Sequence, residues 1–448
     1  MDALQLDSSL TGSGLQRCRR QLQDRLEEIC RRAQLDEACA GVVNSAGECH
    51  AVVSSSQAAT FDIHLACITK LLTASLICQR ASQGEWALDT GILCLMPPSR
   101  RHACALQGIT VAQLLNHTHG LDDAVLQHVL RRADGRVDSD ALCESICSTA
   151  PLARPGELYS YGAGGACLAA ALLEHQCGAT YEEILHRSLL QPLHIRCRAD
   201  CAHTSSPALP AVCPASGGRM IWSLEELISF LRWHLGLESP RGAARHLPLA
   251  FMFHPVAPLS GWHPIEHGVA AGWKFYGHGW FGHNAHMADC SVLLRLHPQR
   301  RLAVVVAVRT DKGEAAFRIL SALFADEWPE LAVFRWPRLL ARHEWQHRDI
   351  HQFTGMFANS ICTVRVEESA GTLLLTTDGG RGSENRTAVA LRPARQQIFL
   401  PQPAAGSVFP FVQFIRPAGN GKYRYLWNGQ QVWRWSDATL PCPATLAI

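Results

Sequence analysis

The chain has 448 residues, of which 41 are basic and 39 acidic, so its net charge is only +2. Such a balance provides no general attraction for nucleic acid or for an anionic membrane. Hydrophobic residues make up 47% and charged residues 18% of the chain, a composition that favours a large buried core over disorder. No apolar run reaches the ~18–20 residues of a membrane span, and the length favours roughly two or three domains.

The amino end lacks a basic segment followed by an apolar one, so we predict no secretion signal and a cytoplasmic location. The 18 cysteines show no CxxC pairs or regular spacing, and several, such as Cys78 and Cys167, lie in apolar helical runs. This pattern is typical of reduced cysteines that act as small buried hydrophobic residues.

The first part of the chain shows helical and strand patterns in alternation. Apolar residues from Leu15 to Ile29 recur at spacings of three and four, which predicts an amphipathic helix. Further helices are predicted at Cys67–Gln83, Thr110–Leu115 and Glu182–Leu190, and hairpins at Ala40–Val43 with His50–Val53 and Ser291–Leu296 with Leu302–Val308. We therefore expect one large α/β domain over residues 1–325, with a sheet assembled from both ends of the segment.

The composition changes after residue 325. Residues 326–347 carry aromatic residues and prolines and predict a linker. Beyond them alternating runs predict strands at Cys362–Glu367, Leu373–Thr377, Ile398–Leu400, Val412–Ile415 and Tyr423–Trp427. These short strands, separated by Gly, Pro and Asn, predict a small antiparallel β-barrel domain over residues 348–448.

The stretch that carries the most chemistry contains Cys67 and Lys70. Residues three apart share one face of a helix, so the thiol and the ammonium are expected to be neighbours. A cysteine at a helix amino end beside a cation has two reasons for a lowered pKa, the helix dipole and the positive charge. The Cys-x-x-Lys pattern is nevertheless common by chance.

A resemblance over most of the chain makes the Cys-x-x-Lys pattern informative. The runs CITKLLTASLICQRASQGEWALD and ITVAQLLNHTHGLDD resemble the serine β-lactamase/DD-peptidase superfamily, in its class C-like branch. The runs PGELYSYGAGGACLAAALLE, TYEEILHRSLLQPLHI, PASGGRMIWSLEELISF and GHNAHMADCSVLLRLHPQRRLAVVVAV continue the likeness in the usual order. The resemblance implies a transpeptidase-type fold, an antiparallel sheet flanked by helices with an all-helical subregion. The tail resembles the lipocalin-like domain of some esterases, D-aminopeptidases and penicillin-binding-type peptide cyclases.

The resemblance also implies four catalytic residues. Cys67 stands where the family has its nucleophilic serine, and Lys70 is the lysine of S-x-x-K. Tyr161 falls on the tyrosine of Y-x-N, which carries the proton of the nucleophile. His283 falls on the first residue of the K-T-G or H-x-G strand.

Two departures affect the expected substrate. Ala163 replaces the asparagine of Y-x-N, and Ala285 replaces the glycine of the strand motif. Together with histidine in place of lysine at 283, they argue against a penicillin carboxylate site. The predicted substrate-binding residues are Asn284, Ala285, Trp280, Ala163 and His119.

Cysteine in place of serine favours acyl transfer. A thiol of pKa ~8.5 is partly ionised at neutral pH, and its acyl-enzyme is a thioester, which amines attack readily. We predict transfer of an acyl or peptidyl group to an amine in specialised metabolism, from a pantetheine-type thioester that is free or on a carrier protein. Backbone N–H groups of Cys67 and of the strand beside His283 would stabilise the oxyanion. A hydrolase of small esters or D-peptides, and an inactive binding homologue, are the alternatives.

No metal or cofactor is predicted. His278, His283, His286 and Asp289 are close in sequence. On a strand, however, their alternate spacing would place them on different faces.

Overall fold

The structure is a computed structural model that describes residues 13–54, 61–98, 104–122, 141, 144–146, 149–196, 198–199, 215, 220–237, 249–287, 290–310, 314–331, 338–340, 350–359, 362–378, 388–402, 410–418 and 421–436. Its α-helices are α1 (Ser13–Ala33), α2 (Thr69–Ser82), α3 (Val111–Leu115), α4 (Gly164–Cys177), α5 (Tyr181–Leu185), α6 (Leu224–His234), α7 (Leu249–Phe253) and α8 (Glu314–Phe324). Short 3-10 turns lie at Ala66–Ile68, Ile92–Cys94, Cys104–Leu106, Pro329–Leu331 and Ile350–Phe353, and a π turn at His186–Leu190. Of the helices in this part of the chain, none is long and apolar enough to cross a bilayer.

The strands before residue 310 form two antiparallel sheets. They are β1 (Glu37–Asn44), β2 (Gly47–Ser54), β3 (Ile63–His64), β4 (Arg198–Ala199), β5 (Met220–Trp222), β6 (Gly268–Val269), β7 (Lys274–Gly277), β8 (Trp280–Met287), β9 (Cys290–His297) and β10 (Leu302–Arg309). In the described residues the larger sheet has the order β2-β1-β10-β9-β8-β7-β6, and β3-β5-β4 form the smaller one. The hairpin β1–β2 pairs with β10, with Val42 opposite Val304. The sheet therefore joins both ends of the segment, as predicted.

Helices cover both faces of this sheet. The alternation of strand side chains sends Val305 to one core, where Leu71 of α2 lies, and Val304 to the other, which holds Leu22 of α1 and Phe324 of α8. Buried on both sides, β10 contains an almost unbroken apolar run. The mixed α/β fold with an antiparallel sheet is confirmed.

Two predicted helices differ in detail from the structure. The segment predicted as one helix from Cys67 begins as the 3-10 turn Ala66–Ile68, and α2 starts only at Thr69. The segment predicted at Glu182–Leu190 is α5 followed by the π turn. A periodicity of 3.6 residues predicts that a helix is present but does not define its first and last turns.

The later strands close into a barrel. They are β11 (Gly355–Ala358), β12 (Thr363–Ser369), β13 (Thr372–Asp378), β14 (Val389–Arg395), β15 (Ile398–Gln402), β16 (Val412–Pro417), β17 (Tyr423–Trp427) and β18 (Val432–Ser436). Each pairs with the next, and β11 pairs with β18. The interior is filled by apolar side chains that include Phe353, Phe357, Phe399 and Phe414. The predicted antiparallel barrel is confirmed.

The outer wall of the barrel packs on the first part of the chain. Ile415, Tyr425 and Trp427 form one apolar cluster with Tyr159 and Val269. Phe414 points inward while Ile415 points outward, so β16 contributes to both the barrel interior and this interface. The interface lies directly beside Tyr161, which packs against the same cluster.

Candidate active site

The turn that carries Cys67 is held from both sides. The Leu65 N–H donates to Met220 O of β5 at 3.0 Å, and the Ile68 N–H donates back to Leu65 O at 2.8 Å. Between them Ala66 has a left-handed φ of +40°, an uncommon conformation for a residue with a Cβ. The turn lies alongside β8. This anchoring leaves the Cys67 side chain partly buried beside β8.

Lys70 lies in the first turn of α2 and is 5% exposed. Its Nζ lies 4.9 Å from the centroid of the Tyr161 ring. It also hydrogen-bonds to the Cys67 thiol. The expected neighbourhood of thiol and ammonium is therefore present, although the two residues belong to a 3-10 turn and the helix that follows it.

Tyr161 is placed by its backbone and its ring. The N–H of Tyr161 donates to Gln430 O of the barrel at 2.7 Å, and the N–H of Ser160 donates to His117 O at 2.9 Å. The ring of His117 lies 4.6 Å from the Tyr161 ring. His117 has a left-handed φ of +59°, which turns the chain at this point. The tyrosine is thus held between a turn of the first domain and a turn of the barrel.

His283 lies on β8 and faces the same space. Its ring centroid is 6.0 Å from that of Tyr161. Nδ1 donates to Asn284 O at 2.8 Å, because a carbonyl oxygen can only accept. Burial, aided by the charges of Lys274 and Lys70, holds the pKa of His283 well below its ordinary value. The imidazole is therefore neutral, and its buried Nε2, which has no hydrogen-bond partner among the described residues, is available as an acceptor.

Opposing effects act on the Cys67 thiol. Burial alone would raise its pKa, since a thiolate is poorly solvated away from water. The charge of Lys70, the hydrogen bond of Tyr161 and the charge of Lys274 outweigh burial, and together they lower the pKa of Cys67. The site therefore favours the thiolate more than bulk water does.

The effect on Tyr161 is opposite. Burial, followed by the negative charge of the Cys67 thiolate, raises the pKa of Tyr161 well above its ordinary value. Among the described residues the hydroxyl has no hydrogen-bond partner of normal geometry. Its interaction is with the Cys67 sulfur. Tyr161 thus stays protonated and presents a proton beside the thiolate.

Sequence reasoning missed one pair of charged residues. Lys274 of β7 and Glu266 are both 3% exposed and form an ion pair, Nζ to Oε1, of 2.7 Å. Lys274 Nζ lies 5.0 Å from the Tyr161 ring centroid. One signal could have found it, since only four of the 41 basic residues are lysines: Lys70, Lys274, Lys312 and Lys422. Because almost all the other basic residues of the chain are arginines, a lysine between aromatic residues indicates a position that requires an amine.

Two predicted substrate-binding side chains lie elsewhere. Trp280 belongs to the core between the sheet and helices α1 and α8, and its Nε1 donates to Glu330 at 3.0 Å. The side chain of Asn284 accepts from Arg295 at 2.8 Å on that same face. Even-numbered residues of β8 point away from the face that His283 occupies, and a role of these two residues in binding stays a prediction.

The other three predicted binding residues lie near the site. Ala285 is on the His283 face, and Ala163 precedes α4, two residues after Tyr161. The Nδ1 of His119 accepts from the Leu121 N–H at 3.1 Å, and a Cβ on Gly165 would lie 3.0 Å from its ring. His119 is therefore a buried packing residue behind the tyrosine turn, and its role in binding stays a prediction.

In the described part of the chain no three His, Cys, Asp or Glu side chains group as metal ligands would. Asp289, from the histidine-rich cluster considered above, lies outside the described residues.

Comparisons with known proteins identify the family and the fold. The family model named Beta-lactamase matches residues 63–326, more than half of the chain. Penicillin-binding protein 4 of Amycolatopsis lactamdurans is 24% identical over 306 residues, which are 61% of this chain and 78% of that protein. The crystal structure of SurE with D-Leu has a TM-score of 0.73 at 20% identity and covers 93% of this chain and 99% of that one. A D-stereospecific amidohydrolase from Streptomyces sp. has a TM-score of 0.54 at 19% identity, over 68% and 99% of the two chains.

Proposed function

The chain belongs to the beta-lactamase family, and from this premise we propose that it is an acyltransferase that works through a covalent thioester on Cys67. One observation carries the proposal. Against the opposing effect of burial, the Lys70 ammonium and the Tyr161 hydroxyl converge on the Cys67 thiol and, with Lys274, lower its pKa. A thiol in this setting supplies a nucleophile near neutral pH without a strong base.

In the first half-reaction the Cys67 sulfur attacks the carbonyl carbon of a bound thioester. The bond from carbon to Cys67 forms, and the bond from carbon to the donor sulfur breaks. The departing thiolate takes the proton of the Tyr161 hydroxyl, and the Lys70 ammonium returns one to the phenol. The backbone N–H groups of Cys67 and of β8 beside His283 stabilise the oxyanion. The acyl-enzyme is left with a neutral Lys70.

In the second half-reaction an amine attacks the thioester on Cys67. Its nitrogen forms the new amide bond and loses one proton, which passes through Tyr161 to the neutral Lys70. The Cys67 thiolate leaves, so the enzyme returns to its starting charge. The Nε2 of His283, a buried acceptor, can orient a donor group of either substrate.

The likeness to other structures supports a class of substrate. One is the structure of SurE with D-Leu, and another is a D-stereospecific amidohydrolase. We infer that this chain accepts an acyl or peptidyl donor with a D-configured residue, presented as a pantetheine-type thioester in specialised metabolism. Hydrolysis of a small ester or D-peptide is the second candidate, which the likeness to the amidohydrolase favours.

The test is direct observation of the acyl-enzyme. The full-length protein is incubated with an acyl-N-acetylcysteamine thioester, and its intact mass is measured. We expect a mass gain of one acyl group, which is absent in Cys67→Ala and retained in Cys94→Ala, a matched control because Cys94 is an exposed cysteine outside the site. Added amines should release the acyl group as an amide.

Three other results would contradict parts of this proposal. Release as a free acid in the presence of amines would identify a hydrolase. No adduct from any acyl donor would favour an inactive binding homologue. A Cys67→Ser variant that equals the wild type with thioester donors would show that the thiol is not required.

A further inference from the structure

Lys274 and Glu266 form a buried ion pair to which the reaction above gives no chemical step. The pair is 2.7 Å long, and both residues are 3% exposed. A buried ion pair of this kind gives little or no net stability, since apolar residues of similar size are often as good or better. Stability therefore does not explain why the chain keeps a lysine and a glutamate at this place.

The position of the pair relative to Tyr161 is specific. Lys70 Nζ and Lys274 Nζ lie 4.9 Å and 5.0 Å from the centroid of the Tyr161 ring. Lys70 comes from α2, and Lys274 from β7, where it pairs with Gly282 of β8. The phenol is thus flanked by two ammonium groups.

The charged and titratable groups around the thiol and the phenol come from several elements. They are Lys70, His117, Tyr159, Tyr161, Glu266, Lys274 and His283. Burial holds both histidines neutral and both tyrosines protonated. Among the described residues, the charges of Lys70 and Lys274 act on the thiol itself, and Lys274, His263 and Arg295 act on Glu266.

The two lysines differ in the groups that their ammonium nitrogens contact. Despite burial, the charge of Lys274, followed by the other nearby basic groups, lowers the pKa of Glu266, so the carboxylate stays ionised. This carboxylate lies 2.7 Å from Lys274 Nζ and holds the ammonium in place. Lys70 instead hydrogen-bonds to the thiol, so it lies on the route of the transferred proton.

We propose that Lys274 is a positioning residue, a cation held in place by Glu266, whose charge stabilises the Cys67 thiolate and leaves Lys70 to carry the proton. The inference rests on the proposed function, since it assigns a role within the Cys67 site. It also explains how a strand with a neutral His283 can still present positive charge to the cleft: the charge comes from the neighbouring strand.

The experiment measures how fast iodoacetamide alkylates Cys67 as a function of pH. The full-length protein is used, and the modified Cys67 peptide is quantified by mass spectrometry. A nearby opposite charge lowers the pKa of an acid by about one unit or more, so Lys274→Met should raise the midpoint of the wild-type profile by about one pH unit. Lys274→Arg keeps the charge and should stay near the wild type.

Two further variants keep the test interpretable. Lys274→Met/Glu266→Gln removes both charges and avoids an unpaired buried carboxylate that could prevent folding. It should also raise the midpoint, because Lys274 and not Glu266 contributes directly to the low pKa of the thiol. Lys422→Met is the matched control, since this lysine contacts Thr354 in the barrel and should leave the profile unchanged.

The outcomes separate the two proposals. A wild-type midpoint at or above that of an ordinary thiol would remove the support for Cys67 as an activated nucleophile. A low wild-type midpoint that persists in Lys274→Met and in the double variant would overturn the role of Lys274 alone.

Discussion

The seven-stranded sheet presents side chains to the candidate site, whereas the barrel reaches the same site through the backbone of one turn. Odd-numbered residues of β8, such as His283 and Ala285, lie on the face of the cleft, while Trp280 packs under α1 and α8. The barrel offers Gln430 O to the Tyr161 N–H at 2.7 Å. A substitution at an odd-numbered residue of β8 should therefore affect the chemistry of the site, and one at an even-numbered residue should affect packing. A substitution in the barrel turn should affect the position of Tyr161.

The largest effect on activity is expected from a change of Tyr161, which lies between the sheet residues of the site and the barrel turn. Tyr161→Phe removes the hydroxyl that passes the proton but keeps the ring between its neighbours. Loss of a general acid–base group typically costs about 10²- to 10⁴-fold in rate, and we expect a loss of this size in amide formation from an acyl thioester. Alkylation of Cys67 should continue, with its midpoint at higher pH. An unchanged rate of amide formation would exclude Tyr161 from the proton path.

A smaller effect is expected from the barrel turn. Gly429 has a φ of +97°, and a Cβ there would lie 2.8 Å from the ring of Phe411. Gly429→Ala should displace the turn that holds Tyr161 and reduce the rate of amide formation by about tenfold, the effect of roughly 1.4 kcal/mol. Steady-state kinetics measures it.

Gly421→Ala is the control for Gly429→Ala. Gly421 also has a positive φ, +79°, but no atom lies within 4 Å of a Cβ placed there. Gly421→Ala introduces the same kind of backbone strain without a steric clash, so the activity of this variant should match that of the wild type. Equal losses in both variants would show that the barrel affects activity only through stability.

The smallest effect on activity is expected from the other face of β8. Trp280→Phe removes the hydrogen bond from Nε1 to Glu330, 3.0 Å long, within a packed core. It should lower the free energy of unfolding by about 1 kcal/mol and leave kcat and KM for the thioester unchanged. Denaturant unfolding and kinetics on the same preparation test both parts. A raised KM would show that the Trp280 indole contacts the substrate.

The barrel shows the limits of pattern reading. Five of its strands were predicted from alternation, but β14 was missed because Pro393 and two arginines interrupt its pattern. The structure accommodates the proline at an irregularity in the pairing between Pro393 and Arg395. The short strands β11 and β18 were also missed, and they are the two that pair to close the barrel.

The site was predictable where a motif fixes neighbours along the chain. Cys67 and Lys70 are three residues apart, so their proximity follows from local geometry. The structure brings Tyr161 and His283 to them, while the catalytic roles of all four remain proposals. Trp280 and Asn284 lie on the other face of β8, since proximity in sequence to His283 does not determine the face to which a strand residue points.

By itself the sequence determined the family, the order of many of the elements and the place of the candidate nucleophile, because spacing and composition constrain structure locally. Only the tertiary structure decided which charges surround that thiol. Lys274 is placed there by β7 and pairs with Glu266 from the segment before β6, and Gln430 reaches Tyr161 from a separate barrel. Burial gives these contacts their strength, since a charge or hydrogen bond counts for more where water is excluded, and burial is a property of the folded chain as a whole.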